Sequence, residues 1–121
     1  MEVHPLNEAH FKGASSEYYA ACYFLSQGHQ VYWPSMQHGP VDFIIGDGEP
    51  FYRVQVKTAR TKNNKHLYAD VVSCSQRGHY PRDLYDLLCV VHGKSLWTIG
   101  SEALGEHQQI RMDRWEHERR L

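Results

Sequence analysis

The sequence predicts an α/β fold in which a sheet of about five strands packs beside one well-defined helix. Three observations support this prediction. Apolar residues recur at helical spacing between Ser15 and Gln27, several later runs alternate as strands do, and Gly and Pro separate these runs. The chain has 121 residues, of which 41% are hydrophobic and 22% charged, so we expect one compact domain.

The helix is the first regular element. Four apolar residues follow the i, i+3, i+4, i+7 spacing of one helical face: Tyr18, Ala21, Cys22 and Leu25. Ser15 or Ser16 is a candidate N-cap, and Gly28 is a candidate C-terminal stop. Residues 1–11 have no clear period, so we expect a short lead-in or a partial helix there.

A β-hairpin follows the helix. Residues 30–33 form a short β-like run that ends at a proline, and residues 41–45 form an apolar strand. The turn formers at 46–50 then join this strand to residues 51–57, which alternate strictly between apolar and polar. In this last strand one face is apolar, and the other carries the polar side chains.

The second half of the chain predicts three more strands. They span residues 67–73, 87–92 and 95–99, and two polar loops, 59–66 and 75–82, precede them. The run at 87–92 is continuously apolar, which is typical of a strand covered on both faces. We expect residues 105–121 to form a polar, helical C-terminal extension of a core at about 11–104, all within one domain of residues 1–121.

Charge is segregated along a chain whose formal net charge is only −1. Residues 1–52 have one Lys and six acidic residues, whereas residues 53–82 have seven Lys or Arg and one acidic residue. Clustered Lys and Arg can bind nucleic-acid phosphates even when the whole molecule is nearly neutral. Charged loops can also serve only to keep a protein soluble. The segregation of charge by itself therefore does not distinguish nucleic-acid binding from solubility.

Other motif classes are not indicated. Three cysteines, Cys22, Cys74 and Cys89, are widely spaced, which predicts buried or half-buried free thiols rather than disulfides or a zinc site. The nine histidines do not form a known ligand pattern. No run is long and apolar enough to suggest a membrane span or a signal peptide, so we expect a cytoplasmic protein.

Four side chains form a candidate chemical constellation. Glu17 lies on the helix, Asp42 lies inside an apolar strand, and Gln55 and Lys57 share the polar face of the next strand. A carboxylate among apolar residues is unfavourable unless a cation or a lysine compensates it, and oxygen ligands suit Mg²⁺. Each residue also has a structural alternative. For Glu17 it is helix-end stabilisation, and for Asp42 it is a turn hydrogen bond or an ion pair with Lys57. Gln55 and Lys57 could be ordinary solvent-facing strand residues.

Three segments together resemble the PD-(D/E)xK nuclease superfamily: residues 12–17 (KGASSE), 40–42 (PVD) and 55–59 (QVKTA). Within it the chain looks like the small Holliday-junction resolvases and the homing and phage-type endonucleases. The resemblance implies a restriction-endonuclease-like α/β fold, with a central mixed sheet of about five strands flanked by helices. It also implies a Mg²⁺-dependent DNA endonuclease, with Mn²⁺ as a possible substitute.

The resemblance assigns roles to individual residues. Glu17, Asp42, Gln55 and the backbone carbonyl of Val56 would hold one or two metal ions, and Lys57 would assist the hydrolytic water. The common pattern has Asp or Glu where this chain has Gln55, so a catalytically inactive DNA- or protein-binding relative is the alternative. A metal-independent interaction module with a charged face is a second alternative.

The expected partner is DNA, duplex or branched. The residues expected to contact it lie on the helix motif, on the catalytic strand and in the basic loops: Lys12, Arg53, Arg60, Lys62, Lys65, Arg77, Tyr80 and Arg82. Core packing is an equal alternative for Tyr80, and Asp86 is expected in a turn or an ion pair. A homodimer or a higher homo-oligomer is also expected, because cutting both strands needs two active sites and one small domain offers one.

Overall fold

The computed structural model describes residues 8–35, 39–71, 84–104, 109–114 and 119–120. One α-helix, α1, spans Glu8–Ser26. The strands are β1 (Gln30–Tyr32), β2 (Phe43–Gly46), β3 (Tyr52–Thr58), β4 (Arg60–Lys62), β5 (His66–Asp70), β6 (Leu87–His92), β7 (Ser95–Gly100), β8 (Gln109–Arg111) and β9 (Arg119–Arg120). Within these ranges no helix is long and apolar enough to cross a membrane.

The strands of the described residues form two sheets. The larger has six strands in the order β1-β2-β3-β6-β7-β9, and the smaller has three in the order β4-β5-β8. The β3–β6 pair is parallel and the other pairs of the larger sheet are antiparallel. The predicted α/β fold with a mixed sheet is therefore confirmed, with the two-residue β9 added at one edge.

The larger sheet is buried on both faces at its centre. Val54, Cys89 and Val91 belong to the apolar cluster that includes the inner side of α1. Leu88 and Val90 belong to a second cluster, which includes residues of the smaller sheet. The prediction that residues 87–92 form a strand covered on both faces is confirmed, because successive side chains of β6 enter different clusters.

The helix begins earlier than predicted, at Glu8, so neither Ser15 nor Ser16 is its N-cap. Its C-terminal end is as predicted: Gly28 has φ +92°, and the amides of Gly28 and His29 donate to the carbonyls of Leu25 and Phe24. This is the hydrogen-bond pattern of a Schellman motif, which favours glycine at the left-handed position.

The apolar spacing that predicts α1 does not mark its buried side. Tyr18 is 64% exposed and Leu25 is 55% exposed, whereas Ala20 and Phe24 are buried. The helix therefore has two apolar sides, and only the side that contains Ala20 and Phe24 packs on the sheet. Cys22 is exposed, which corrects the expectation of a buried or half-buried thiol there. Cys89 is buried as expected, and Cys74 lies outside the described residues.

The predicted β2–β3 hairpin is confirmed, with Phe43 opposite Val54. The predicted loop at 59–66 is wrong in part, because β4 and β5 form a second hairpin there. Its turn places Asn63 and Asn64 both at φ 55°, and the Lys65 amide donates to the Lys62 carbonyl at 3.2 Å. Asn tolerates this left-handed backbone better than most residues, which lets the loop turn tightly.

The predicted C-terminal helix is wrong for the described residues. Gln109–Arg111 is strand β8, Met112–Arg114 is a short 3₁₀ turn and Arg119–Arg120 is β9. Ile110 and Met112 are buried, and their two-residue spacing fits an extended chain rather than a helix. The described residues therefore place one α-helix beside the sheet, rather than helices at both ends of the chain.

Two glycines, one within α1 and one just after its C-terminal end, should respond oppositely to replacement by alanine. Gly13 lies inside α1 and an added Cβ meets nothing within 4 Å, so Gly13→Ala should stabilise the protein by about 0.5–1 kcal/mol. Gly28→Ala should destabilise it by about 1–2 kcal/mol, because φ +92° strains any residue with a Cβ. Urea unfolding of both variants tests this, and equal shifts in the same direction would contradict the assigned helix end.

Candidate active site

Three elements bring the predicted constellation together. Asp42 lies immediately before β2, Gln55 and Lys57 lie on β3, and Glu17 lies on α1, which packs against β3. Asp42 acts electrostatically on Glu17, and Lys57 acts on Asp42. The structure therefore gathers the helix residue and the hairpin residues at one end of β3.

Asp42 is fixed by the backbone of the neighbouring strand. Its Oδ2 accepts a hydrogen bond from the Val56 amide at 2.6 Å, and its own amide donates to the Val54 carbonyl at 2.8 Å. The carboxylate thus stands beside the segment that carries Gln55 and Lys57. The predicted alternative of a hydrogen bond from the following turn is wrong for this contact, because the donor to the Asp42 carboxylate is the Val56 amide of β3.

Both carboxyl groups of the site have a raised pKa. Partial burial and the nearby charge of Asp42 raise the pKa of Glu17 from 4.5 to about 7. Burial also raises the pKa of Asp42, although the Val56 hydrogen bond and the Lys57 charge oppose this increase. Two carboxyl groups with raised pKa values lie close together here, and a cation between them would favour the ionised form of both.

Gln55 supplies an oxygen that lacks a partner. Its side chain is 5% exposed, and Oε1 is buried without a hydrogen bond. Leaving a buried carbonyl oxygen unsatisfied is unfavourable, and a hard cation accepts such an oxygen as a ligand. The two carboxylates and this amide therefore fit a Mg²⁺ or Mn²⁺ site. No group of three His, Cys, Asp or Glu forms within the described ranges, so an oxygen from an amide, the backbone or water must complete the set.

Lys57 is partly buried on β3, and it has no salt bridge to Asp42 within 4.0 Å in the described structure. The structural alternative of a direct Asp42–Lys57 ion pair is therefore not realised. Its ammonium group still acts on Asp42 through space. A lysine in this position can orient a water molecule or offset negative charge on a phosphate.

A groove of about 470 Å³ lies beside the N-terminal half of α1, and residues in or next to β3, β4 and β6 form the rest of its lining. Lys12, Arg60 and His92 contribute nitrogen groups, and none of the described residues that line the groove has a carboxylate. Hydroxyl groups add hydrogen-bonding capacity: Ser15, Ser16, Tyr19, Thr58 and Thr61. Ser16 and Thr58, each the neighbour of a constellation residue, hydrogen-bond at 2.7 Å and join this groove to the site.

The remaining predicted DNA contacts have varied surroundings. Arg53 forms a bidentate ion pair with Asp86 at 3.0 and 3.1 Å, which confirms the ion pair expected for Asp86. Lys62 lies 5.7 Å from the centre of the Tyr68 ring, and Lys65 is exposed in the β4–β5 turn. Arg77, Tyr80 and Arg82 lie outside the described residues. DNA contact by these residues stays a prediction.

His92 contributes to the groove although it is not among the residues predicted from the sequence. This residue ends β6, and the fold places it near Lys12 through the parallel β3–β6 pair. No local motif marks it, because its partners are far away in the chain. Arg60 is also less free than predicted, since its guanidinium contacts Asp70 at 2.8 Å, although its side chain is 70% exposed.

Comparison with known proteins agrees with this geometry. A sequence profile described as PD-(D/E)XK endonuclease matches residues 7–91, which contain all four constellation residues. The chain belongs to this family. The chain is also similar to protein 5.3 of Escherichia phage T7, with 35% identity over 89 residues covering 71% of this chain and 75% of the phage protein.

A solved structure supports the same fold for this PD-(D/E)XK endonuclease family member. The bacterial homing endonuclease I-Ssp6803I superposes with a TM-score of 0.76 over 94% of this chain and 82% of its own. Sequence identity is 15%, so this likeness concerns the fold alone. The resemblance identified from the three sequence motifs is thereby confirmed.

The ionisation of Glu17 should make the metal-free protein less stable as the pH rises. A carboxyl whose pKa is raised on folding stabilises the fold while it is protonated, and this contribution is lost as the pH rises from 4.5 through about 7. We therefore expect Glu17→Gln to raise the melting temperature in EDTA at pH 8, with little effect at pH 5. Glu102→Gln, an exposed acid away from the site, is the matched control. Equal effects of Glu17→Gln at both pH values would contradict the raised pKa.

Proposed function

We propose that this protein is a metal-dependent DNA endonuclease that hydrolyses phosphodiester bonds, with Mg²⁺ as its metal and Mn²⁺ as a substitute. The observation that carries this proposal is the cluster formed by Glu17, Asp42, Gln55 and Lys57. It combines two carboxyl groups with raised pKa values, one buried oxygen without a partner and one ammonium group. Membership of the PD-(D/E)XK endonuclease family supports the same reaction.

The residues divide the work by their chemistry. Glu17, Asp42, Gln55 and the Val56 carbonyl would hold the metal. When bound, the metal polarises a phosphate and lowers the pKa of a coordinated water. Lys57 orients the water and offsets the negative charge that develops on the phosphate. None of these roles needs a nucleophilic protein side chain, so the buried thiol of Cys89 takes no part.

DNA would lie across the end of the sheet where the site is located. The groove beside α1 offers Lys12 and Arg60 to the phosphates on one side of the cut, with the imidazole of His92 between the two elements. Hydroxyl groups next to these cations provide further hydrogen bonds to phosphate oxygens. We propose duplex or branched DNA as the substrate, cut in the manner of a homing endonuclease or a junction resolvase by two copies acting together.

The second candidate function is binding without cleavage. Gln55 favours it, because an amide lacks the charge that the Asp or Glu of the usual motif brings to the metal. Such a protein would keep the groove and the fold while it binds metal weakly. Metal binding and DNA cleavage therefore have to be measured separately from DNA binding.

Cleavage should depend on the metal and on two residues. We expect the protein to nick plasmid DNA with Mg²⁺ and not with EDTA. Replacing Asp42 or Lys57 by Ala should reduce the cleavage rate by at least about 100-fold, since each removes charge stabilisation at the reacting phosphate. Gel analysis of the products over time, under enzyme excess, measures this rate.

A matched variant separates cleavage from binding. Arg114→Ala removes an exposed cation that does not line the groove, and should leave both properties unchanged. Full cleavage by Asp42→Ala or Lys57→Ala would contradict the assigned site. Binding of duplex, junction, flap and single-stranded DNA without metal-dependent cleavage of any of them would favour the inactive binding module.

Gln55 should set the affinity for the metal. If its Oε1 is a ligand, Gln55→Glu should bind Mg²⁺ more tightly than the natural protein, because the new side chain adds a negative charge at the same place. Calorimetric titration of both proteins with Mg²⁺ tests this expectation. Unchanged affinity and enthalpy would show that residue 55 is not a ligand.

A further inference from the structure

The outer side of α1 has an apolar seam that no other described part of the chain covers. It consists of residues separated by alternating intervals of four and three: Phe11, Ser15, Tyr18, Cys22 and Leu25. Phe11 is 54% exposed, Tyr18 is 64% exposed and Leu25 is 55% exposed, and Ser15 and Cys22 are also exposed. Large apolar side chains lined up in this way indicate an interaction surface more than scattered surface residues do.

The spacing of the outer seam matches that of helices that pair along their length. Alternating steps of four and three residues average about 3.5 residues, which keeps one stripe facing a partner helix. The helix is also already folded, because its opposite side packs on the sheet through Ala20 and Phe24. Pairing would therefore not have to overcome the marginal stability of a short isolated helix.

The surroundings of the seam argue against nucleic acid as its occupant. No member of the seam is cationic, and residues 1–52 contain only one Lys, no Arg and six acidic residues. That Lys, Lys12, lines the groove proposed to bind phosphates, which borders the seam at Ser15. A DNA backbone would find no compensating charge on the seam itself.

We propose that the outer seam of α1 is the interface with a second copy of this chain, with the two α1 helices side by side and parallel. With the two-fold axis running along the helix pair, each residue of the seam would then meet its own counterpart. A parallel pair keeps both Glu17 side chains at the same end, so two active sites face one DNA. This choice of orientation rests on the proposed function.

The available surface is adequate for a modest dimer. Tyr18 contacts Trp33, with ring centres 5.4 Å apart, and Trp33 is itself 47% exposed, which widens the seam toward β1. Half-exposed Phe11, Tyr18, Leu25 and Trp33 offer roughly 400 Å² of apolar surface per copy. A standard interface uses about 800 Å² per partner, about 65% of it apolar in homodimers. The seam thus supplies most of the apolar part.

Sedimentation of the full-length protein tests the interface without reference to nuclease activity. We expect a concentration-dependent dimer whose dissociation constant rises at least about tenfold in Tyr18→Lys and in Leu25→Lys. Leu84→Lys makes the same change at an apolar residue that is 37% exposed and lies off the seam, and should leave the dimer unchanged. Far-ultraviolet circular dichroism and melting curves establish that each variant is folded.

Cys22 reports the orientation directly. With Cys74 replaced by Ser, and Cys89 buried, mild oxidation should link two copies through Cys22 in the parallel arrangement. A dimer that never forms this disulfide would overturn the parallel arrangement. A protein that stays monomeric at all concentrations would overturn the interface. A monomer whose DNA affinity changes in Tyr18→Lys would overturn it too, because DNA would then contact the seam. Cleavage by a monomer would overturn the interface and the joint action of two copies, but not the metal-dependent hydrolysis. A cross-linked dimer without cleavage would overturn only the proposed function.

Discussion

The hydrogen bond from the Val56 amide to Asp42 Oδ2 ties the start of β2 to the strand that carries Gln55 and Lys57. The site depends on this contact, because it turns a carboxylate from a short loop toward the middle of β3. Its length of 2.6 Å is typical of a strong hydrogen bond to a charged acceptor. The sheet then fixes the position of β3 from both sides, through the antiparallel β2 and the parallel β6.

Burial of the site sets its chemistry. The sheet is covered on both faces, so Gln55 is enclosed and its Oε1 lacks a partner, while Glu17 is held where ionisation is unfavourable. These are unfavourable features for a protein that only has to fold. They become favourable together when a divalent cation is bound, because one ion compensates both carboxylates and the amide oxygen. Stability without metal is thus lowered at the residues that would bind it.

Local patterns predicted the parts of the fold that depend on local chemistry. The β2–β3 hairpin follows from its turn residues and alternation, and the burial of β6 follows from a continuous apolar run. The constellation could be proposed because its members lie on these elements. The buried side of α1 could not be deduced, because the helix has two apolar sides and periodicity cannot tell which one meets the sheet.

Other features depend on contacts between distant segments. The pairing of β5 with β8 links residues about forty positions apart, and no turn signal announces it. The charged neighbours of β8 have the pattern of a solvated helical face, which predicts a helix, whereas Ile110 and Met112 enter the core. The role of His92 also depends on distant segments, because its neighbours in the groove belong to α1 and β4.

The parallel pairing of β3 with β6 also bears on how the chain folds. The two strands meet in register although the paired residues, such as Val54 and Leu87, are 33 positions apart. Parallel strands cannot form as a simple hairpin, so a long loop must close before the pair gains any stability. The loss of chain entropy comes first and the compensating contacts come late. Formation of the central strand pair is therefore expected to limit the folding rate, whereas the contact of Asp42 with Val56 lies within the local β2–β3 hairpin.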